Sequence, residues 1–200
     1  VRMSATPSQP KVAARRRADA VENRDRLLDA AQAVFLESGV NAPLDAVAQR
    51  AGIGRATLFR HFADRHALIA GLLQRTLATL ETEAASAPGD PYALVRLLRF
   101  LAQHMVARAP LAEYWQAFDH DSAEFQLAQR RFVAAFAQPV AWARAAGTCR
   151  ADFQAEDALL LAALLGGALY ARDPERRRQL AARAWQLAVE AGRLRDPDGT

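Results

Sequence analysis

The chain has 200 residues, 52% of them apolar, with a formal net charge of +4 and a single cysteine. That length and apolar content can bury one small and one medium domain, while the lone Cys149 excludes an internal disulfide or a cysteine-cluster metal site and fits a reducing cytoplasm. Residues 1–75 hold 12 Arg or Lys against 7 Asp or Glu and the remainder holds 14 against 15, so the positive excess lies in the first third, where binding of a polyanion would use it.

Residues 1–22 are rich in Ala, Ser, Pro and Gln and carry no apolar period. They read as a flexible arm around Arg15-Arg16-Arg17, either a solvated tail or an arm that reaches along a DNA backbone or into a minor groove. From there Leu27, Leu28, Ala31, Val34 and Phe35 fall at i, i+1, i+4, i+7 and i+8, one face of a helix that stops near Gly39. Leu44, Val47, Ala48 and Ala51 repeat the pattern in a shorter helix, with Pro43 expected in its first turn and Asn41 as a cap just outside. Gly52 suits a left-handed C-terminal stop, and Ile53 fills the angle before a third helix begins.

In that third helix the 100° advance per residue puts Leu58 and Phe62 inward and Ala56, Thr57 and Arg60 outward, with Phe59 and His61 on the flanks. Arg55, in the first turn, reaches past the helix end. Two helices joined by a short glycine-bearing turn form a helix-turn-helix, whose second helix can enter a major groove. Arginine takes guanine O6 and N7 in a bidentate fork, and small side chains let the helix sit deep or touch a thymine methyl. In an arbitrary helix the same arginines would be ordinary solvated charges; the turn ahead of them favours the reading role.

Ala51-Gly52-Ile53, Thr57-Leu58-Phe59, His61-Phe62, Arg65 and Leu68 together resemble the amino-terminal domain of TetR-family transcriptional regulators, over roughly residues 23–72. Together with the outward face of the third helix, this makes Arg55, Ala56, Thr57, Phe59, Arg60, His61 and Arg65 the expected DNA contacts. Two departures stand out. Phe59 replaces the usual tyrosine and cannot donate to a phosphate, and Pro43-Leu44 stands where many members carry Thr or Ser. Both remove polar phosphate anchors and shift the burden to arginine.

Further along, Leu68, Leu72, Leu73, Leu77 and Leu80 continue an amphipathic helix over 65–85, and Ser86 to Asp90 breaks it. Pro91 is expected to start a helix running to about 107, and a shorter one follows Pro110. Ser122 caps a long helix through Phe125, Ala128, Phe132 and Phe136, with a kink expected at Pro139. A final pair covers about 155–171 and 174–194, with Asp173 capping the second. Nothing alternates as a strand does. The apolar stretch 158–171 is too short to span a bilayer, which takes ~20 residues, and no signal peptide opens the chain.

Aromatic residues concentrate in the middle helices. Phe100, His104, Trp115, Phe118, Phe132 and Phe136 are candidates for a largely apolar small-molecule pocket, with core packing as the competing role of each. In the final pair, Ala162 with Gly166 and Ala163 with Gly167 are small residues four apart. With Leu180 and Leu187 they make the expected dimer surface, and the resemblance implies the same four-helix interface.

Enzyme signals are poor. Gly52-Ile53-Gly54-Arg55-Ala56-Thr57 lacks the third glycine of a dinucleotide loop and follows a helix rather than a strand. Asp119-His120-Asp121 and Glu113 read as caps and solvated charge rather than as metal ligands. The sequence therefore predicts an all-α protein without metal or cofactor. Its parts are an arm (1–22), a three-helix DNA-binding domain (23–70), a helical ligand-binding and dimerisation domain (71–195) and a tail (196–200). The expected protein is a cytoplasmic homodimeric repressor that binds a double-stranded DNA operator, is released by an unidentified small-molecule effector, and has no membrane partner. The alternative is a helical small-molecule-binding or dimeric interaction protein without operator-specific regulation.

Overall fold

Leu27, Leu28, Ala31, Val34 and Phe35 are all buried and form the inner face of α1 (Gln9–Ser38). The structure is a computed structural model that describes residues 9–107, 122–167 and 173–197, among which there are eight helices and no strand. The chain divides into two units, Val1–Gly71 and Leu72–Thr200.

In the first unit α1 packs against α2 (Leu44–Ala51), which is followed by α3 (Arg55–His61) and the start of α4 (Arg65–Ala85). Val47, Ala48, Leu58, Phe62, Leu68 and Ile69 complete the core, each large side chain stabilising the unit by about 1.5–3 kcal/mol relative to exposure. Asp64 caps α4 by accepting a hydrogen bond from the Ala67 amide at 2.8 Å. Gly71 lets that helix come close: a Cβ there would lie 2.8 Å from the Phe62 ring and 3.1 Å from Leu28.

Two expectations for this unit are corrected. Residues 9–22, expected as a flexible arm, continue α1 without a break. Ala and Arg are among the best helix formers, and lengthening an existing helix avoids the cost of nucleation. An apolar period is needed only where a helix has something to pack against, and residues 14–22 are exposed. Pro43 sits at the N-cap of α2, outside the first turn, in an extended conformation with no side-chain cap.

In the second unit α5 (Ala93–Ala107) packs against α6 (Ala123–Ala146), α7 (Asp157–Gly167) and α8 (Pro174–Gly192). Leu94, Leu97 and Leu98 from α5 meet a core that includes Phe125, Phe136, Val140, Phe153, Ala158, Leu165 and Ala188. Ser122 and Asp173 cap α6 and α8 by accepting from the Phe125 and Arg176 amides at 3.2 and 2.8 Å. α6 runs through the buried Pro139 and ends at left-handed Gly147. α5 begins two residues after Pro91, which lies in a turn. The expected helix after Pro110 and the extension of α7 beyond 167 lie outside the described residues.

The turn after α6 gathers the ends of several elements. The Thr148 hydroxyl donates to the Pro91 carbonyl at 2.5 Å, the Arg150 amide donates to Gly192 O at 2.8 Å, and the Arg195 amide donates to Thr148 O at 2.8 Å. Asp196 pairs with Arg99 of α5, so the tail expected from 196 is fastened at its first residue. Cys149 is buried beside this turn. Burial pushes its thiol above the ordinary range, against the pull of Arg144 and Arg150, which marks an inert packing cysteine.

Candidate nucleic-acid interface

The site is built by the α2–α3 turn. Gly52 takes a left-handed conformation (φ 63°), and the Gly52 and Ile53 amides return to the Gln49 and Ala48 carbonyls. A residue with a Cβ is penalised in that conformation by roughly 1–2 kcal/mol. Gly54 then resumes an extended backbone, and its carbonyl accepts from Thr57 and Leu58 as α3 begins. Leu58 and Phe62 are buried at the inner edge, as their spacing predicts.

The outward face carries Arg55, Ala56, Phe59 and Arg60, all exposed, with Thr57 and His61 half-buried beside them. Arg60 donates to the Thr57 hydroxyl at 2.7 Å. Arg55 lies 2.8 Å from the Asp45 carboxylate and stacks over the Phe59 ring at 5.5 Å. Phe59, at 39% exposure, is thus the platform for a guanidinium and not a core residue. Both arginines are steered by short contacts but remain solvated, so a stronger acceptor such as a phosphate or a guanine edge can take them.

Four other cations of this unit have partners within it. Arg65 donates to the Val40 carbonyl at 2.5 Å and lies over Phe35. Of the residues expected at the interface, it is the one with the clearest structural role. Arg26 donates to Ala51 O at 2.6 Å, Arg50 pairs with Glu37 at 2.7 Å, and Arg24 stacks over Phe62 at 4.6 Å. Sequence reasoning missed Asp45, an acid beside the reading arginines. Its pairing depends on the angle between α2 and α3, which no periodicity encodes.

In the second unit Phe132 and Phe136 lie on the inner face of α6 with ring centroids 5.1 Å apart. Phe136 is fully buried and Phe100 half-buried. Trp115 and Phe118 lie outside the described residues, as does the side chain of His104. Beside Phe132, Arg131 makes a two-pronged pair with Glu81 of α4, both nitrogens at 2.8 Å, and bonds Gln74 two turns before. The hydrogen bonds from Arg131 hold the Glu81 carboxyl below the usual carboxylate range, against the desolvation that pushes it up.

The candidate dimer residues separate into two sets. Gly166 is buried and Ala162 half-buried, so that stripe packs within the subunit. Ala163 and Gly167 face outward with Leu160, which is 69% exposed, and Leu164. A Cβ on Gly167 would meet nothing within 4 Å. On α8, Leu187 is exposed and Leu180 half-buried. Among the described residues no group of acidic, His and Cys side chains is placed to hold a metal, and no helix is long and apolar enough to cross a membrane.

Comparison with known proteins bears directly on this geometry. Residues 27–72 match the family model of bacterial regulatory proteins of the tetR family. Over 68 residues the chain is 43% identical to an HTH-type transcriptional regulator of Staphylococcus aureus, a match covering 34% of this chain and 37% of that protein; the chain thus spans little more than a third of the length of the curated relatives it matches. A TetR transcription regulatory protein from Mycobacterium vanbaalenii is similar throughout, with a TM-score of 0.64, 27% identity and coverage of 90% of this chain and 99% of that one. SmeT, the repressor of a Stenotrophomonas maltophilia multidrug efflux pump, shares the fold in its complex with triclosan: TM-score 0.59, 21% identity, 88% and 93% coverage.

Proposed function

Given that the chain belongs to the TetR family of bacterial regulatory proteins, whose members regulate transcription and are not enzymes, we propose that it is a cytoplasmic homodimeric repressor of an inverted-repeat DNA operator. The observation that carries this reading is the outer face of α3. There Arg55, Ala56, Thr57, Phe59 and Arg60 stand clear of the core on a short helix fixed by the Gly52 turn. His61 flanks them, and Arg65 supports the loop before α2. Two-fold operator recognition needs two such helices. The outward Leu160, Ala163, Leu164 and Gly167 of α7 and Leu187 of α8 supply apolar area through which two subunits would join.

A mostly apolar effector is part of the same reading, with Phe132 of α6 and Phe100 of α5 as lining candidates and Phe136 as the packing behind them. SmeT was solved with triclosan, which supports a small-molecule site in a protein of this fold. Effector and DNA would antagonise each other reciprocally, by about 1–3 kcal/mol in coupling of this kind.

Selection of bound duplexes from a random-sequence pool tests the reading. The expected product is an inverted repeat. On it, Arg60→Ala loses ~1–3 kcal/mol at one base pair if Arg60 reads an edge, or weakens all sequences alike with a shallower salt slope if it holds a phosphate. Recovery of no preferred sequence, or wild-type affinity and salt slope in Arg60→Ala, refutes it.

A further inference from the structure

The first fourteen residues of α1, Gln9 to Glu22, extend the helix beyond the part of it that packs, and they carry Lys11, Arg15, Arg16 and Arg17 against Asp19 and Glu22. At 1.5 Å per residue this extension is about 21 Å long, the rise of about six base pairs of duplex at 3.4 Å each. Arg15, Arg16 and Arg17 are exposed, and among the described residues they have no hydrogen-bond or ion-pair partner, unlike Arg24, Arg26, Arg50 and Arg65 of the same unit.

No acidic residue occupies the first turn of the helix that bears these cations. Three consecutive arginines fan over about 200° of its circumference, at 100° per residue, which one flat surface cannot satisfy. A groove walled by phosphates on both sides can, and continuous basic helices enter major grooves in this way.

We infer that the α1 extension is a second DNA-binding element, which lies along the duplex flanking the site read by α3 and engages its phosphates through Arg15, Arg16 and Arg17. The inference rests on the proposed DNA binding and adds contacts outside the operator core. The extension adds affinity and salt dependence, not base specificity.

The test uses the full chain, its Arg15→Gln/Arg16→Gln/Arg17→Gln variant, and the duplex the full chain selects from a random pool. That duplex is used trimmed to the selected repeat or extended by about ten base pairs on each side. The full chain should bind the long duplex more tightly than the trimmed one, and the triple variant should lose that difference. On the long duplex its salt slope should be shallower by about 2.7 per engaged extension, three contacts at about 0.9 each. Unchanged helicity by circular dichroism excludes loss of fold as the cause. Equal binding of both duplexes by wild type, or an unchanged salt slope in the variant, overturns the extension while leaving operator recognition intact. Failure to select any duplex overturns both, and loss of binding to anionic vesicles in place of DNA would assign the cations to a membrane surface instead.

Discussion

At the level of single residues, Asp45 is the instructive case. On the proposed DNA-binding face a carboxylate would repel phosphates, yet Asp45 stands 2.8 Å from Arg55. Exposed ion pairs add little stability, so on the proposed reading its effect would fall on binding, by holding Arg55 over Phe59 and competing with weak phosphate contacts. Asp45→Asn should raise affinity for mixed-sequence duplex and steepen the salt slope by about one contact. In an Arg55→Ala background the same change should do nothing, and a full effect there would make Asp45 a simple source of repulsion. The i, i+3, i+4 spacing sufficed to place Leu58 and Phe62 inside and Arg60 outside, because those directions are properties of one helix. The Asp45–Arg55 pair and the recruitment of Arg65 by Val40 are relations between elements, and spacing within an element does not contain them.

Among the elements, α4 is fixed at two places that respond differently to perturbation. Gly71 has no room for a side chain against the buried Phe62 ring, so Gly71→Ala should destabilise the first unit by about 1–3 kcal/mol, read by denaturant unfolding. Farther along, Glu81 is held to α6 by Arg131. Its carboxyl is below the ordinary range, so the pair's contribution is present at neutral pH and is lost as pH falls through the lowered value. The difference in melting temperature between wild type and Glu81→Gln should therefore be largest near pH 7 and close below about pH 4, near and under the ordinary Glu value. Helix placement was legible because caps and glycines mark ends: Gly52, Ser122 and Asp173 all act as their sequence context predicts. The α1 extension was not, because an amphipathic period reports packing rather than helicity, and an unpacked helix leaves no such trace.

For the whole molecule, the proposed dimer would rest mainly on the outward apolar residues of α7. Leu160→Glu places a charge in that surface and should convert the dimer to monomer in sedimentation at micromolar concentration, while helicity is retained. The operator half-sites should be centred about 34–36 Å apart if the dimer reads successive turns of one face. A wild-type monomer that grips a single half-site as tightly as the full repeat would contradict this. That the described residues are helical, with a basic first unit and a larger helical second unit, was visible in composition and period. Which of two small-residue stripes on α7 faces outward was not, since both have the same spacing and only tertiary packing separates them.

The turn after α6 has a kinetic corollary. The Arg150 and Arg195 amides donate to carbonyls more than forty positions away in the chain, so their protons exchange with solvent only when the segment between them lets go as a cooperative piece. That segment contains α7 and α8. If the same helices hold two subunits together, opening it first requires the subunits to part. Deuterium uptake at these two amides should then slow as protein concentration rises, whereas uptake at the Ile53 amide, inside the reading head, should be indifferent to it.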